Sequence, residues 1–147
     1  MYEILIIILL IIDQASKITV KNTLENTQGM SIIDGVFHLT YVENSGAAFG
    51  MLQNMQYVFI IIALIVLIAG IYFIHKEEST KLAKISIAMI ISGAIGNLVD
   101  RLRLGYVIDF FDFKIIWSYV FNFADILVVL GTILLCICLI RSGKDEV

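Results

Sequence analysis

The feature that most constrains this chain is an unbroken apolar stretch at positions 57–74, YVFIIIALIVLIAGIYFI. It holds 18 residues and no charge, close to the ~20 apolar residues that an α-helix needs to cross a hydrocarbon core of ~30 Å. Hydrophobic residues make up 60% of the chain and charged residues 16%, against roughly 45–50% and about 25% in soluble domains. The sequence therefore predicts an α-helical membrane protein, and we expect residues 1–147 to form a single domain.

Three further apolar segments complete a predicted bundle of four transmembrane helices. Segments 85–99 and 126–140 hold 15 residues each and reach spanning length if their polar flanks lie in the membrane interface. The first helix is predicted from about Tyr2 to Val20. No basic residue precedes its apolar run and no small-residue cleavage site follows, so we interpret it as a retained helix and not as a signal peptide.

The balance of Lys and Arg on the two sides bears on orientation. An even number of helices places both termini on one side, and five basic residues fall on each side of the predicted membrane. If Lys17 and Arg101 are held in a site near membrane depth and are set aside, the balance becomes five to three. That balance predicts that both termini are cytoplasmic.

Two connecting segments indicate structure outside the bilayer. Residues 36–42 alternate in hydrophobicity with period two, which is typical of a half-buried strand. We therefore expect a small β-sheet on the outer, extracytoplasmic surface. The segment from Gly105 to Tyr119 is rich in aromatic residues, and we interpret it as an interfacial loop that rests at headgroup level.

The alternating directions of four helices bring the unusual polar residues to one face of the membrane. Asp13 and Lys17 stand at i and i+4 on the first helix and can form an ion pair, which we interpret as scaffold near a site. Asn97 and Arg101 follow a row of small residues on the third helix. The small residues fit a packing role, whereas an amide and a guanidinium can hold a carboxylate or a substrate carbonyl.

Two further acids, Asp109 and Asp125, are surrounded in sequence by aromatic and aliphatic residues. Burial of a carboxyl group penalises its charged form, and two carboxyl groups at close range do not both ionise cheaply. If the segment that carries Asp109 folds back against Asp125, one group stays ionised while the other keeps its proton, as in an aspartic dyad. An ordinary loop acid at 109 and a helix-start residue at 125 fit the sequence equally well.

Other chemistries have less support in the sequence. No H-E-x-x-H motif is present, and His38 and His75 fall on opposite sides of the predicted membrane, so we expect no metal site. The net charge is −3 and the basic residues are spread along the chain, which argues against a nucleic-acid partner. No G-x-S-x-G motif is present, and neighbouring Ser16 and Lys17 point about 100° apart on a helix, a poor geometry for a serine–lysine dyad.

Five short motifs occur in an order that covers almost the whole chain. They are DQASK at 13–17, NSGAAFG at 44–50, SGAIGNLVDR at 92–101, VIDF at 107–110 and FNFAD at 121–125. With these motifs the chain closely resembles the signal peptidase II family, the bacterial intramembrane aspartic peptidases that process lipoproteins. The one departure is Ser92, where the family often has glycine, and this change keeps the helix face small.

The resemblance implies that Asp109 and Asp125 are the catalytic pair, with the site open to the outer face of the bacterial cytoplasmic membrane. It also implies a set of lining and supporting residues: Asn44, Asn97, Arg101 and Asn122 line the site, and Asp13 and Lys17 support it. The implied substrate is a prolipoprotein that bears diacylglyceryl on the cysteine after its signal peptide and is cut on the N-terminal side of that cysteine. We expect a monomer in contact with membrane lipids, with no metal or organic cofactor.

The outer segments are expected to close over the substrate, with Gly46 and Gly50 giving the backbone freedom to move. Two other functions also fit a membrane bundle that contains acids. A small transporter or proton relay predicts charge at mid-membrane, whereas the acids here cluster at helix ends and the second helix is uncharged. A non-catalytic lipid-binding scaffold predicts that acid-to-amide variants keep their function.

Overall fold

The computed structural model describes residues 1–46, 55–76, 79–115 and 119–142. Within these residues the elements follow one another as α1 (Tyr2–Leu24), β1 (Met30–Ile33), β2 (Phe37–Asn44), α2 (Gln56–His75), α3 (Lys81–Leu104), β3 (Val107–Phe113), β4 (Val120–Phe121) and α4 (Phe123–Ser142). The four expected helices are present. Each extends past its predicted apolar segment into polar residues.

Among the described residues, three helices are long and apolar enough to cross a membrane by length and composition: Gln56–His75, Lys81–Leu104 and Phe123–Arg141. The chain is therefore a mostly helical membrane protein with a small antiparallel sheet. The first helix, α1, differs from these three in composition, because it carries Asp13, Lys17 and Lys21 among its apolar residues.

The third helix, α3, lies at the centre of the bundle and packs against α1, α2 and α4. Glycine makes the contact between α3 and α4 close at two positions. The Cα of Gly93 lies against the backbone of Ala124 in α4, and Gly131 of α4 lies against the backbone of Ser86. Small residues of this kind allow membrane helices to approach closely. The α3–α4 contact therefore fixes where the first turn of α4 lies relative to the end of α3.

The four strands form one antiparallel sheet in the order β1-β2-β3-β4. Strand β2 overlaps the strand predicted at 36–42 and pairs with β3, so that Phe37 lies opposite Phe113 and Asn44 lies opposite Val107. The register shifts between Leu39 and Val42, an irregularity of the kind that bends a strand and redirects its side chains. Helices α2 and α3 lie between β2 and β3 along the chain, so the pairing of these strands joins two distant parts of the sequence in one sheet.

The prediction of an interfacial loop from Gly105 to Tyr119 is wrong for residues 107–113, which form β3. The first four residues of this strand are buried in succession. A strand buried on both faces reads as a continuous apolar run, so the period-two signal of a strand is absent from its sequence. Its aromatic rings pack within the sheet: the ring centroids of Phe37 and Phe113 lie 4.6 Å apart. Residues 116–118 of the predicted loop lie outside the described residues.

The sheet docks on the C-terminal half of α1. Val20 and Leu24 of α1 form a buried apolar cluster with Ile108 and Phe110 of β3. These two β3 residues flank Asp109, so the apolar cluster holds the strand segment that carries this acid against α1.

Candidate active site

Asp109 lies in β3 and is almost completely buried, with 2% of its surface exposed. Each of its carboxyl oxygens accepts a hydrogen bond from an asparagine amide. Asn44 Nδ2 on the adjacent strand β2 donates to Asp109 Oδ2 at 2.8 Å, and Asn122 Nδ2 donates to Asp109 Oδ1 at 2.6 Å. The carboxyl group is thus held from two elements that are distant along the chain.

Asp125 lies in the first turn of α4, where the helix dipole favours negative charge. The backbone N–H of Asp125 donates to Asn122 Oδ1, and the backbone N–H of Asn122 donates to Asp125 Oδ2, each at 3.1 Å. This reciprocal pair caps the start of the helix in the manner of a capping box. The other oxygen, Asp125 Oδ1, accepts from Asn97 Nδ2 of α3 at 2.8 Å.

Asn122 connects the two acids directly. It is fully buried, its side-chain amide donates to Asp109, and its backbone amide donates to Asp125. The same side-chain nitrogen lies 3.2 Å from Asn97 Oδ1. The structure therefore brings both acids into one hydrogen-bonded cluster, with one asparagine shared between them.

Burial raises the pKa of Asp109 to about 7, and the nearby charge of Asp125 acts in the same direction. The hydrogen bonds from Asn44 and Asn122 and the charge of Lys17 oppose this rise in pKa because they favour the ionised form. At neutral pH and below, Asp109 therefore carries a proton in a large fraction of molecules. A carboxyl group in that state can donate a hydrogen bond.

A buried ion network lies beside the two acids. Lys17 Nζ lies 3.1 Å from Asp13 Oδ2 and 2.9 Å from Asp100 Oδ2, and all three side chains are buried. The i,i+4 pair predicted between Asp13 and Lys17 is present. Lys17 Nζ also donates to Asn97 Oδ1 at 3.0 Å, so Asn97 links the ammonium to Asp125.

Two members of this network were not among the residues predicted from sequence, Asp100 and Gln14. Gln14 Nε2 donates to Asp13 Oδ2 at 3.1 Å and to Asp100 Oδ1 at 3.0 Å. Asp100 does have a signal in the sequence. It follows Ala88, Ser92 and Gly96 at intervals of four residues, so it lies on the face of α3 that packs against α1 and α4. Gln14 lies within the motif DQASK at 13–17, but its contact with Asp100 depends on how α1 packs against α3.

The guanidinium of Arg101 lies on the α2 side of the cluster. It donates from one nitrogen to the Gly46 carbonyl oxygen at 3.2 Å, and its central carbon stands 4.5 Å from the ring centroid of Phe59. Its charge interacts with the carboxylates of Asp109 and Asp125. Gly46 also donates its N–H to Asn44 Oδ1 at 3.0 Å, while Gly50 lies outside the described residues.

The eight residues that the sequence assigns to the site, together with Gly46, thus lie in one connected cluster at the sheet end of the helices. The arrangement offers two carboxyl groups, one of them with a raised pKa, several fixed amide donors and one guanidinium. In the described part of the chain, no three His, Cys, Asp or Glu side chains are placed to hold a metal ion. Such a site can activate water and hydrogen-bond a carbonyl oxygen.

Comparisons with known proteins give the same family throughout. A family model described as signal peptidase (SPase) II matches residues 5–141. A lipoprotein signal peptidase from Clostridioides difficile (strain 630) is 57% identical over 138 residues, which cover 93% of each chain. A lipoprotein signal peptidase from Halothermothrix orenii is 42% identical over 144 residues, which cover 98% of each.

The fold agrees with these sequence matches. Two solved structures, both of bacterial membrane enzymes determined by the in meso method, superpose with TM-scores of 0.91 and 0.84 at 30% and 32% sequence identity. The matched regions cover 99% and 94% of this chain and 91% of each solved chain.

Proposed function

Because this chain belongs to the signal peptidase II family, we propose that it removes signal peptides from prolipoproteins and that Asp109 and Asp125 catalyse the cleavage. The single observation that carries the catalytic assignment is the shared hydrogen bonding of the two acids by Asn122. Two carboxyl groups held by one buried residue, with different surroundings, are suited to opposite protonation states.

In the proposed mechanism Asp125 is the base. It lies at a helix N-terminus and accepts N–H donors from Asn97 and Asn122, an environment that suits a carboxylate. Asp125 takes a proton from a water molecule, and the oxygen of that water attacks the scissile carbonyl carbon. Protonated Asp109 donates a hydrogen bond to the oxygen on which negative charge develops.

The amine then leaves, and Asp125 changes from base to acid. The tetrahedral intermediate collapses as the peptide C–N bond breaks, and the proton held by Asp125 passes to the leaving nitrogen. The products are a carboxyl-terminated signal peptide and a free amino group on the lipoprotein. No covalent intermediate, metal or organic cofactor takes part.

The remaining predicted residues have distinct proposed roles. Asn44 and Asn122 orient Asp109, and Asn97 orients Asp125. Arg101 is proposed to bind a carbonyl oxygen of the substrate. Its guanidinium carries five N–H donors, and no carboxylate in the described part of the chain forms an ion pair with it.

We propose that α1 is a fourth membrane span. Its two central charges, Asp13 and Lys17, are buried and paired with each other, so they do not face lipid. Its exposed surface carries isoleucines at 4, 7, 8, 11 and 12, which suit contact with acyl chains. With four spans and the orientation predicted from Lys and Arg, both termini are cytoplasmic and the sheet and acids face outward.

The proposed substrate carries diacylglyceryl on the cysteine that follows its signal peptide, and the bond on the N-terminal side of that cysteine is cut. An acylated substrate is already confined to the bilayer, so it reaches the site from the surrounding lipid. One chain supplies both acids and all of their amide donors, which supports action as a monomer.

The test is cleavage of a diacylglyceryl-modified prolipoprotein by purified Asp109→Asn and Asp125→Asn variants. We expect both to bind substrate, to keep the unfolding temperature of the parent within a few degrees, and to lose cleavage. Normal turnover by either folded variant excludes the dyad. The transporter alternative is favoured if both variants cleave at the parent's rate and the protein carries ions or protons across proteoliposome membranes.

A further inference from the structure

We propose that Asp100 is a positioning residue for the two catalytic acids: together with Asp13 and Lys17, it fixes the backbone immediately before each of them and so sets their separation. The inference rests on the proposed function, because it takes Asp109 and Asp125 as the reacting pair. We call Asp13, Lys17 and Asp100 the lysine clamp.

The first observation is a pair of equivalent backbone contacts. Asp100 Oδ2 accepts the backbone N–H of Ile108 at 3.2 Å, and Asp13 Oδ1 accepts the backbone N–H of Ala124 at 3.0 Å. Ile108 immediately precedes Asp109, and Ala124 immediately precedes Asp125. Each clamp carboxylate therefore holds the chain one residue before a catalytic acid.

The second observation is that one ammonium joins the two carboxylates. Lys17 Nζ lies 3.1 Å from Asp13 and 2.9 Å from Asp100. Exposure is 0% for Asp13, 1% for Lys17 and 3% for Asp100, so solvent does not screen these attractions. The contacts that connect Ile108 to Ala124 therefore run through three side chains, and all three are buried.

Gln14 provides a second connection between the same two carboxylates. Its amide nitrogen donates to Asp13 and Asp100 and also to the Gly96 carbonyl oxygen at 3.2 Å. Asp100 therefore uses Oδ1 for Gln14 and Oδ2 for Lys17 and Ile108. It has no hydrogen bond or ion pair with the side chain of either catalytic acid in the described residues, so its effect on the reaction passes through the two groups that it holds, the Ile108 N–H and the Lys17 ammonium.

The close approach of α1 to α3 makes this geometry possible. A Cβ at Gly96 would collide with the Asp13 carboxylate, so only glycine leaves room for Asp13 to reach Ala124. The clamp thus depends on a particular helix separation and does not merely fill space. A displacement of about 1 Å between reacting groups costs on the order of 100-fold in rate. The separation that the clamp fixes between Asp109 and Asp125 should therefore affect the rate of cleavage.

The experiment measures kcat and KM for a diacylglyceryl-modified prolipoprotein with Asp100→Ala, Asp100→Asn and Asp100→Glu. Alanine removes the acceptor for Ile108 N–H, asparagine keeps an oxygen in the same place without charge, and glutamate keeps the charge but moves the oxygen. We expect kcat to fall on the order of 100-fold in Asp100→Ala with KM within about 2-fold of the parent. Asparagine should restore most of that loss, and glutamate should restore less than asparagine.

Asp112→Ala is the matched control. Like Asp100, Asp112 is a buried acid, with 5% of its surface exposed, but it lies on β3 and not on α3. It accepts from Thr40 Oγ1 at 3.0 Å and pairs with Lys114 Nζ at 2.6 Å. It lies three residues beyond Asp109, and in the described part of the chain it forms no hydrogen bond or ion pair with either catalytic acid. Its removal should affect the unfolding temperature and leave kcat within about 3-fold of the parent.

The outcomes separate the clamp from the dyad itself. If Asp100→Ala turns over as fast as Asp112→Ala, or if glutamate restores kcat better than asparagine, the positioning role is wrong. Should Asp100→Ala not fold, the order of the asparagine and glutamate variants decides alone. Cleavage by Asp109→Asn or Asp125→Asn defeats the proposed function, whereas inactive dyad variants beside a fully active Asp100→Ala defeat only the clamp.

Discussion

The side-chain amide of Asn122 donates a 2.6 Å hydrogen bond to the carboxyl group of Asp109. The two residues belong to different structural units, since Asp109 lies in a strand and Asn122 at the start of a membrane helix. The bond therefore fastens the sheet to the bundle at the position where the reaction is proposed to occur, and it is a sensitive place to perturb.

Asn122→Ala should reduce both turnover and stability. The change removes the side-chain donor to Asp109 Oδ1 and leaves the backbone N–H of Asp125 without its side-chain acceptor, and an unsatisfied buried group costs about 1–3 kcal/mol. We expect turnover to fall on the order of 100-fold because Asp109 loses a donor that orients it and the first turn of α4, which carries Asp125, loses its cap. Turnover and thermal unfolding in detergent measure the two effects. Asn44→Ala is the comparison, because it removes a donor from Asp109 alone, and an equal loss in both variants contradicts the bridging role.

Cleavage should decline on the alkaline side with an apparent pKa of about 7, the value to which burial and the charge of Asp125 raise the pKa of Asp109. The protonated form of Asp109 is the active one, so activity is present below that pKa and falls about 10-fold per pH unit above it. Asn44→Ala removes a hydrogen bond that lowers the pKa of Asp109, so it should move this decline to higher pH. The pH dependence of kcat/KM measures it. A decline that stays in place or moves to lower pH contradicts the assignment.

Arg101→Ala should impair cleavage far more than Arg103→Ala. Arg101 contacts Gly46 and the Phe59 ring beside the acids, whereas Arg103 is exposed at the end of the same helix. We expect a loss on the order of 100-fold for Arg101→Ala and less than about 3-fold for Arg103→Ala. Both variants remove one positive charge, so parallel kinetics with equal losses would show that only net charge matters.

Gly93→Ala should destabilise the bundle at the α3–α4 contact. The added Cβ meets the Ala124 carbonyl oxygen and lies 2.8 Å from Val128 Cγ2, so the helices must separate, at a cost of about 1–3 kcal/mol. The unfolding temperature in detergent measures this loss. The neighbouring Ser92→Ala adds no volume and removes only the hydrogen bond to the Ile6 carbonyl oxygen at 3.2 Å. A lower unfolding temperature for Ser92→Ala than for Gly93→Ala is inconsistent with steric contact at Gly93.

Hydrophobicity alone predicted much of this fold. The membrane helices follow from the lengths of their apolar runs, and β2 follows from the alternation at 36–42. Strand β3 escaped prediction because it is covered on both faces, so that Val107, Ile108 and Phe110 read like any other apolar segment. Its aromatic residues, which pack within the sheet, resembled those of an interfacial loop.

The site was predictable to the extent that its contacts are local in sequence. The Asp13–Lys17 pair follows from helical spacing, whereas Asn44 and Asn122 were assigned to the site only by the resemblance to the family. The contacts of Asp100 with Ile108 N–H and Gln14 are not local in this sense. They depend on how α1, α3 and the sheet are packed, and a backbone N–H leaves no signature in the residue type that carries it.

The order of the elements along the chain has a consequence for biosynthesis. Asn44 is translated before two membrane helices and Asp109 after them, and the two residues meet only when β3 pairs with β2. A nascent chain that still lacks its last third holds half a sheet and neither reacting carboxyl group. Under the proposed mechanism, a newly made chain therefore cannot cleave a substrate until α4, which carries Asp125, has been synthesised and has packed against the rest of the bundle.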